Sequence, residues 1–326
     1  MSGFLNVRKP AGLTSHQCVG AMRRVFDTRQ VGHGGTLDPM ATGVLTMAVG
    51  RATRFLQYLT TGKEYTGSIR LGRGQLHGLM RRWQIRRYRV GRGRLDANGF
   101  IGEIDQMPPR VSAIKKDGVR LYKLARAKKV KADFNVEPRR VLIESIDVTK
   151  FTEGDFPEMD VDVVCGGGTY IRSIARECGE ALVVPLEHVD STCNLRNPAG
   201  EFCVGGTLTK LERTRSGAFT IDDSLDLDEI RGKVEEGESP LYSIESVLQH
   251  LPFAELPLRT AQHWLNGGMV TVPAEDIEFA CHQRKELTSG DPIRIYHPSS
   301  TAMLGIAQVD PQDQHKEFVL RKRLFI

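Results

Sequence analysis

Several things are missing from this 326-residue chain, and each absence removes a class of function. No apolar run approaches the ~20 residues that a bilayer-spanning helix needs, so a helical membrane protein is not expected. The opening Met1-Ser2-Gly3-Phe4-Leu5-Asn6-Val7 lacks a charged stretch followed by an apolar one. It reads as the start of a folded strand rather than a signal peptide, and the expected location is the cytoplasm. The six cysteines (Cys18, Cys165, Cys178, Cys193, Cys203 and Cys281) form no C-x-x-C pair, and no His-x-x-x-His accompanies them. That argues against structural zinc and against disulfides, and leaves reduced, mostly buried thiols. No Gly-Lys-Ser/Thr stands at P-loop spacing, so the glycine-rich stretch at 32–43 is not a phosphate-binding P-loop.

What is present is ordinary for a globular protein: 40% apolar and 26% charged residues, enough for a sizeable core. The net charge of +5 suits a polyanionic partner. Its distribution weakens that argument. Residues 73–98 hold eight arginines and one acid, a local +7, which leaves the rest of the chain at −2.

Residues 4–7 alternate like a strand and run into the turn Lys9-Pro10-Ala11-Gly12. Thr14 or Ser15 then caps a helix to about Phe26. Residues 31–43 carry too many glycines for a helix or regular strand and read as an ordered loop. Val44–Val49 reads as a buried strand, 52–59 as a short helix, and Lys63–Leu71 as a strand. Pro108–Gly118 reads as strand then turn, Leu121–Ala127 as a helix, Val141–Phe151 and Glu158–Val164 as strands, and Ser173–Leu182 as a helix. A charged stretch, Glu235-Glu236-Gly237-Glu238-Ser239-Pro240, looks like a linker. Beyond it one short helix and several short strands suggest a small β-rich module. Helices and strands in this irregular order predict an α+β fold.

The loop Gly32–Gly43 concentrates the chemistry. It holds one carboxylate, Asp38, one imidazole, His33, and several hydroxyls. On residues alone two readings stand level: Asp38 opens an Asx turn before Pro39, or it is a functional carboxylate on a backbone that a ligand can approach closely.

The run His33-Gly34-Gly35-Thr36-Leu37-Asp38-Pro39-Met40-Ala41-Thr42-Gly43-Val44-Leu45 resembles the nucleophile motif of TruB-type pseudouridine synthases. Other blocks match in the same order: Lys9-Pro10 with Gly12-x-Thr14-Ser15; Gly50-Arg51-Ala52-Thr53-Arg54 with Lys63-x-Tyr65; Pro108–Gly118; Gly168-Thr169-Tyr170-Ile171-Arg172-Ser173; and Gly206-Thr207-Leu208 through Gly217. The resemblance implies a pseudouridine synthase fold, a mixed and largely antiparallel sheet flanked by helices. It implies isomerisation of uridine 55 in the T-arm of tRNA, without cofactor or metal, by a monomer needing no obligate protein partner and no membrane. The base is cut from C1′, turned and rejoined through C5, a task that suits a nucleophilic carboxylate. Residue by residue, Asp38 is the nucleophile, Tyr65 stacks on the target base near C5, and Arg172 pairs with Asp38 to keep it ionised. Tyr170 and Leu211 line the pocket, and His33 fills the stack left by the extruded base. Lys9 and Lys115 are backbone contacts or supports.

Without the family, Tyr65 and Tyr170 read as core aromatics, Arg172 as a surface helix charge and His33 as a loop histidine. The expected domains are a catalytic domain over 1–240 and a PUA-like RNA-binding module over 245–326, the latter from a looser resemblance around Trp264–Gly268 and Leu304–Ala307.

The chain departs from the family in two places. After Leu71-Gly72 the family continues T-x-T-D-x-x-x-G, whereas this sequence turns arginine-rich. Three readings remain open: a basic arm on RNA phosphates, a disordered cationic loop, or a reading-frame slip, since shifted codons under Gln75–Met80 permit Arg-Thr-Asp. The missing aspartate helps hold the active-site arginine in the family. A tRNA-binding or RNA-folding protein with weak or no catalysis is therefore the alternative reading. Residues 183–204 add a second atypical segment, expected as a surface loop.

Overall fold

The structure is a computed structural model. It describes residues 1–72, 100–109, 137–154, 156–182, 196–200, 203–279, 287–298, 303–310 and 317–325, with backbone alone at 93–94, 115–116, 119–120, 317 and 322–325. The helix expected over Leu121–Ala127, the Lys115 side chain, nearly all of 73–98 and most of 183–204 lie outside the described residues.

The described elements run β1 (Gly3–Lys9), α1 (Ser15–Val25), β2 (Val31–His33), β3 (Thr42–Val49), a 3-10 helix (Gly50–Tyr58), β4 (Lys63–Leu71), β5 (Gly93–Arg94), β6 (Gly102–Gln106), β7 (Lys115–Lys116), β8 (Val119–Arg120), β9 (Arg139–Thr152) and β10 (Glu158–Cys165). They continue with α2 (Ile171–Glu180), β11 (Gly206–Ser216), β12 (Phe219–Thr220), α3 (Leu227–Glu235), α4 (Ile244–Val247), β13 (Phe253–Glu255), α5 (Leu258–Leu265), β14 (Val270–Pro273), β15 (Ile277–Glu278), β16 (Pro292–Tyr296), β17 (Met303–Val309) and β18 (Glu317–Phe325). The mixture is α+β, as the pattern predicts. No helix among the described residues is long and apolar enough to cross a membrane.

Two compact units form: Met1–Pro39 with Leu45–Thr60 and Ala218–Ile326, and Met40–Val44 with Thr61–Gly217. In the first, α1 starts where the sequence places it. Thr14 Oγ1 accepts from Gln17 N at 3.1 Å while Gln17 Oε1 accepts from Thr14 N at 2.8 Å, a capping box that satisfies two helix-end donors. Cys18, Val19 and Met22 face inward at helical spacing. Chain segments far apart in sequence are stitched to β1. Phe4 and Tyr242 exchange backbone hydrogen bonds at 2.9 Å each way, and Leu225 N donates to Asn6 O at 3.0 Å.

The same unit contains a six-stranded sheet in the order β14-β18-β17-β16-β13-β15, antiparallel except for β13 beside β16. Trp264, Ile293, Ile295, Ala307 and Leu320 form the centre of its core. Arg294, on the interior strand β16, is buried. It donates to Leu251 O at 2.9 and 3.1 Å and to Tyr296 Oη at 2.8 Å, so its charge is spread over good acceptors rather than left bare.

The second unit is built on the antiparallel order β11-β4-β10-β9, with β5 and β6 on β9. Period-two alternation sets its faces: Tyr65, Ile69 and Leu71 on β4 and Met159, Val161, Val163 and Cys165 on β10 point into the core. Helix α2 lies close on the start of β11. A Cβ on Gly179 would overlap the Gly205–Gly206 peptide, so the contact requires glycine there.

Some local readings change. Val31–His33 was expected as loop but forms β2, because pairing with Met47–Val49 supplies backbone partners that its composition does not announce. The short helix expected over 52–59 is present as a 3-10 helix over Gly50–Tyr58. Strands β6 and β11 carry too little alternation to be read in advance and are made by pairing with β9 and β4, whereas α3 has a local start signal in the Asp226–Glu229 capping box that the sequence reading did not use.

Candidate functional site

Both neighbours of Asp38 are fixed by hydrogen bonds within the first unit. On one side Ser15, buried at the start of α1, brackets Leu37: its Oγ accepts from Leu37 N at 2.9 Å and donates to Leu37 O at 3.2 Å. On the other, Pro39 O accepts from Gly12 N at 2.7 Å and from Lys9 Nζ at 3.3 Å. The Lys9 ammonium is 0% exposed and donates also to Leu13 O at 2.6 Å and Pro10 O at 2.8 Å. A lysine enclosed in this way supports the loop from below, and its charge is satisfied by carbonyl dipoles. Asp38 itself is half-buried, with access to solvent. His33 ends β2 opposite Met47 and meets the edge of the His16 ring at 6.3 Å between centroids.

The chain leaving this loop is anchored in the second unit. Glu212 and Arg213 of β11 pair in parallel with Thr42 and Gly43. Thr42 Oγ1 donates to Glu212 Oε1 at 3.1 Å, and Arg213 Nε donates to Val44 O at 2.7 Å. Gly43 has φ +97°, and a Cβ there would meet the Arg213 backbone N at 2.8 Å. The glycine is required by both conformation and space. Arg213 is 1% exposed, a buried cation that sequence reasoning did not single out.

Register brings several named residues to one face of the second unit's sheet. Tyr65 lies opposite Val163 on β10 and Arg213 on β11, Leu211 lies opposite Gly67, and Lys63 lies between Cys165 and Ser216. Tyr65 and Leu211 are buried at 7% and 8% exposure. Burial, with the Arg213 guanidinium nearby, pushes the Lys63 ammonium down to about 8, and burial pushes the Cys165 thiol up to about 11.

Tyr170 and Arg172 sit at the head of α2, both half-buried. Gln106, the last residue of β6, holds that head through the backbone: Tyr170 N donates to its Oε1 at 2.8 Å, and its Nε2 donates to Tyr170 O at 3.2 Å. Ser173 Oγ adds a bond to Met107 O at 2.7 Å. Gln106 is 1% exposed and was not anticipated; it lies 64 residues from Tyr170, and no short motif contains both.

The second unit thus collects Tyr65, Leu211, Tyr170 and Arg172, while Asp38, His33 and Lys9 belong to the first. Among the described residues no three His, Cys, Asp or Glu side chains are grouped to hold a metal.

Comparison with known proteins matches residues 23–171 to a family described as TruB family pseudouridylate synthase, N-terminal domain. A protein named tRNA pseudouridine synthase B from Trichormus variabilis is 37% identical over 314 residues, 95% of each chain. One of the same name from Gloeobacter violaceus is 41% identical over 275 residues, 83% of this chain and 87% of its own. Among solved structures, a Cbf5-Nop10-Gar1 complex contains a chain with TM-score 0.68 at 24% identity, covering 99% of this chain and 85% of that one. An H/ACA RNP bound to a substrate RNA containing 2′-deoxyuridine gives TM-score 0.65 at 22% identity, with 99% and 85% covered. These two likenesses concern the fold. With relatives this similar over nearly the whole length, the chain belongs to the TruB family of pseudouridylate synthases.

Proposed function

We propose that this protein isomerises uridine 55 in the T-arm of tRNA to pseudouridine, with Asp38 as the nucleophile. The observation that supports it most is the treatment of Asp38's neighbours: Leu37 and Pro39 are both immobilised by buried groups while the carboxylate keeps access to solvent. Rigid positioning of one reactive group is what a covalent or proton-abstracting step requires. In this reading the carboxylate attacks C1′ or takes a proton from the sugar; either route needs it ionised. Tyr65 lies against the flipped base, Tyr170 and Leu211 line its pocket, and Arg172 is the cation that keeps the nucleophile charged. His33 takes the place of the extruded base, and Lys9 serves as support. Residues 245–326 form the PUA-like module that binds RNA.

The uracil is detached, turned and rejoined at C5, whose proton is released to solvent. Tritium release from C5-labelled uridine in unmodified tRNA therefore reads the reaction directly. Release is expected from the parent protein. Asp38→Asn should bind tRNA and release none. Binding without release by the parent protein would favour the RNA-binding alternative instead.

A further inference from the structure

Lys63 stands two residues before Tyr65 on β4, so both side chains leave the same face of the strand. Its ammonium has three donors. One hydrogen bond is made, to the neutral Ser216 Oγ at 3.2 Å, and among the described residues no carboxylate lies within ion-pair distance of it. The groups around it offer no counter-charge. Arg213 on β11 is a cation, Cys165 on β10 is a thiol that burial keeps protonated, and Tyr65 brings a phenol rather than a carboxylate. Glu64 lies next in the strand, so its side chain leaves the other face, where Arg215 holds it at 2.7 Å. Glu144 on β9 acts on Cys165 rather than on Lys63. A half-buried ammonium beside a second cation, with one neutral acceptor, is an incomplete arrangement unless an anion joins it.

We propose that Lys63 is a phosphate site, receiving a backbone phosphate of the RNA strand that carries the target uridine. The inference rests on the reading of the Tyr65 face as the nucleotide pocket. A phosphate there supplies the missing acceptors and restores a full charge to the lysine. Two consequences separate this role from a structural one. The contact adds to the salt dependence of tRNA binding, and it weakens as pH rises through about 8, where the free lysine loses its proton.

The experiment measures tRNA dissociation constants of the full-length protein over a salt series, on each side of that pH. Lys63→Met should bind about tenfold more weakly at moderate salt, and its log–log salt slope should fall by about 0.7–0.9, one phosphate contact's worth. Lys63→Arg should keep the slope and lose the pH dependence near 8, because a guanidinium stays charged. A Lys63→Met protein with the parent's slope and pH profile overturns the proposal. Tyr65→Leu tests the reading beneath it: full tritium release by that variant overturns the pocket assignment whatever Lys63 does.

Discussion

At Lys9 a full positive charge is taken out of water and set among three carbonyl oxygens, one of them that of Pro39 beside Asp38. Replacing it with methionine keeps the packing volume and removes the donor to Pro10 O and Leu13 O, while Pro39 O keeps Gly12 N, a cost of about 1–3 kcal/mol. Lys9→Met should lower the melting temperature and slow single-turnover pseudouridine formation more than it weakens tRNA binding. A melt and turnover equal to the parent's would remove Lys9 from the support of this loop. Gly43 makes the opposite point, that a missing side chain can be what a site needs. Gly43→Ala forces a Cβ onto the Arg213 backbone at positive φ, and should destabilise by about 1–3 kcal/mol, read as a lower midpoint in denaturant. The importance of the glycines around Asp38 was legible in the sequence. That Gly43 is required by Arg213 was not, because the two lie 170 positions apart and meet only through strand pairing.

Among elements, α2 and β6 form the working pair. The helix has no side-chain cap of its own at Tyr170, and Gln106 supplies the partners from outside. Gln106→Leu leaves the Tyr170 backbone N–H without its side-chain acceptor, while Tyr170 O keeps the bonds from Ser173 N and Ile174 N, and this loosens the helix head that carries Arg172. The expected outcome is a turnover loss of about tenfold or more with tRNA affinity little changed; equal turnover would show that the clamp does not serve the site. The Thr14–Gln17 capping box, by contrast, is a four-residue pattern, and the sequence alone already placed the start of α1 at Thr14 or Ser15. Short-range signals of that kind are written in composition. Strand β2 is not, since its three residues become a strand only by borrowing hydrogen bonds from β3.

Across the whole molecule, the first unit is assembled from pieces far apart in sequence, and His250 is one of the ties. Its Nε2 donates to Tyr58 O at 2.9 Å across 192 positions. Burial lowers its pKa below the ordinary value of 6.5, and the Arg294 guanidinium acts in the same direction. A histidine with a depressed folded-state pKa favours the folded state in its neutral form. That contribution is complete above the unfolded pKa and is lost as pH falls below about 6.5 through the folded value. The parent protein should therefore lose melting temperature on acidification more steeply than His250→Gln, which keeps a donor and does not titrate. Parallel pH curves would refute the assignment.

By itself the sequence determined the chemistry on offer: the aspartate in a glycine-rich loop, the tyrosine on an alternating strand, the arginine opening a helix, and through them the family. Each of those signals sits inside a motif a few residues long, where spacing carries meaning. Only the tertiary structure decided which residues serve them. Arg213 against Gly43 and Val44, and Lys63 between Cys165 and Ser216, follow from strand register, and Gln106 under Tyr170 from the packing of β6 beside the head of α2; these contacts join segments 64 to 170 residues apart. Register is set by the summed burial of whole strand faces, and no local stretch of the chain encodes it.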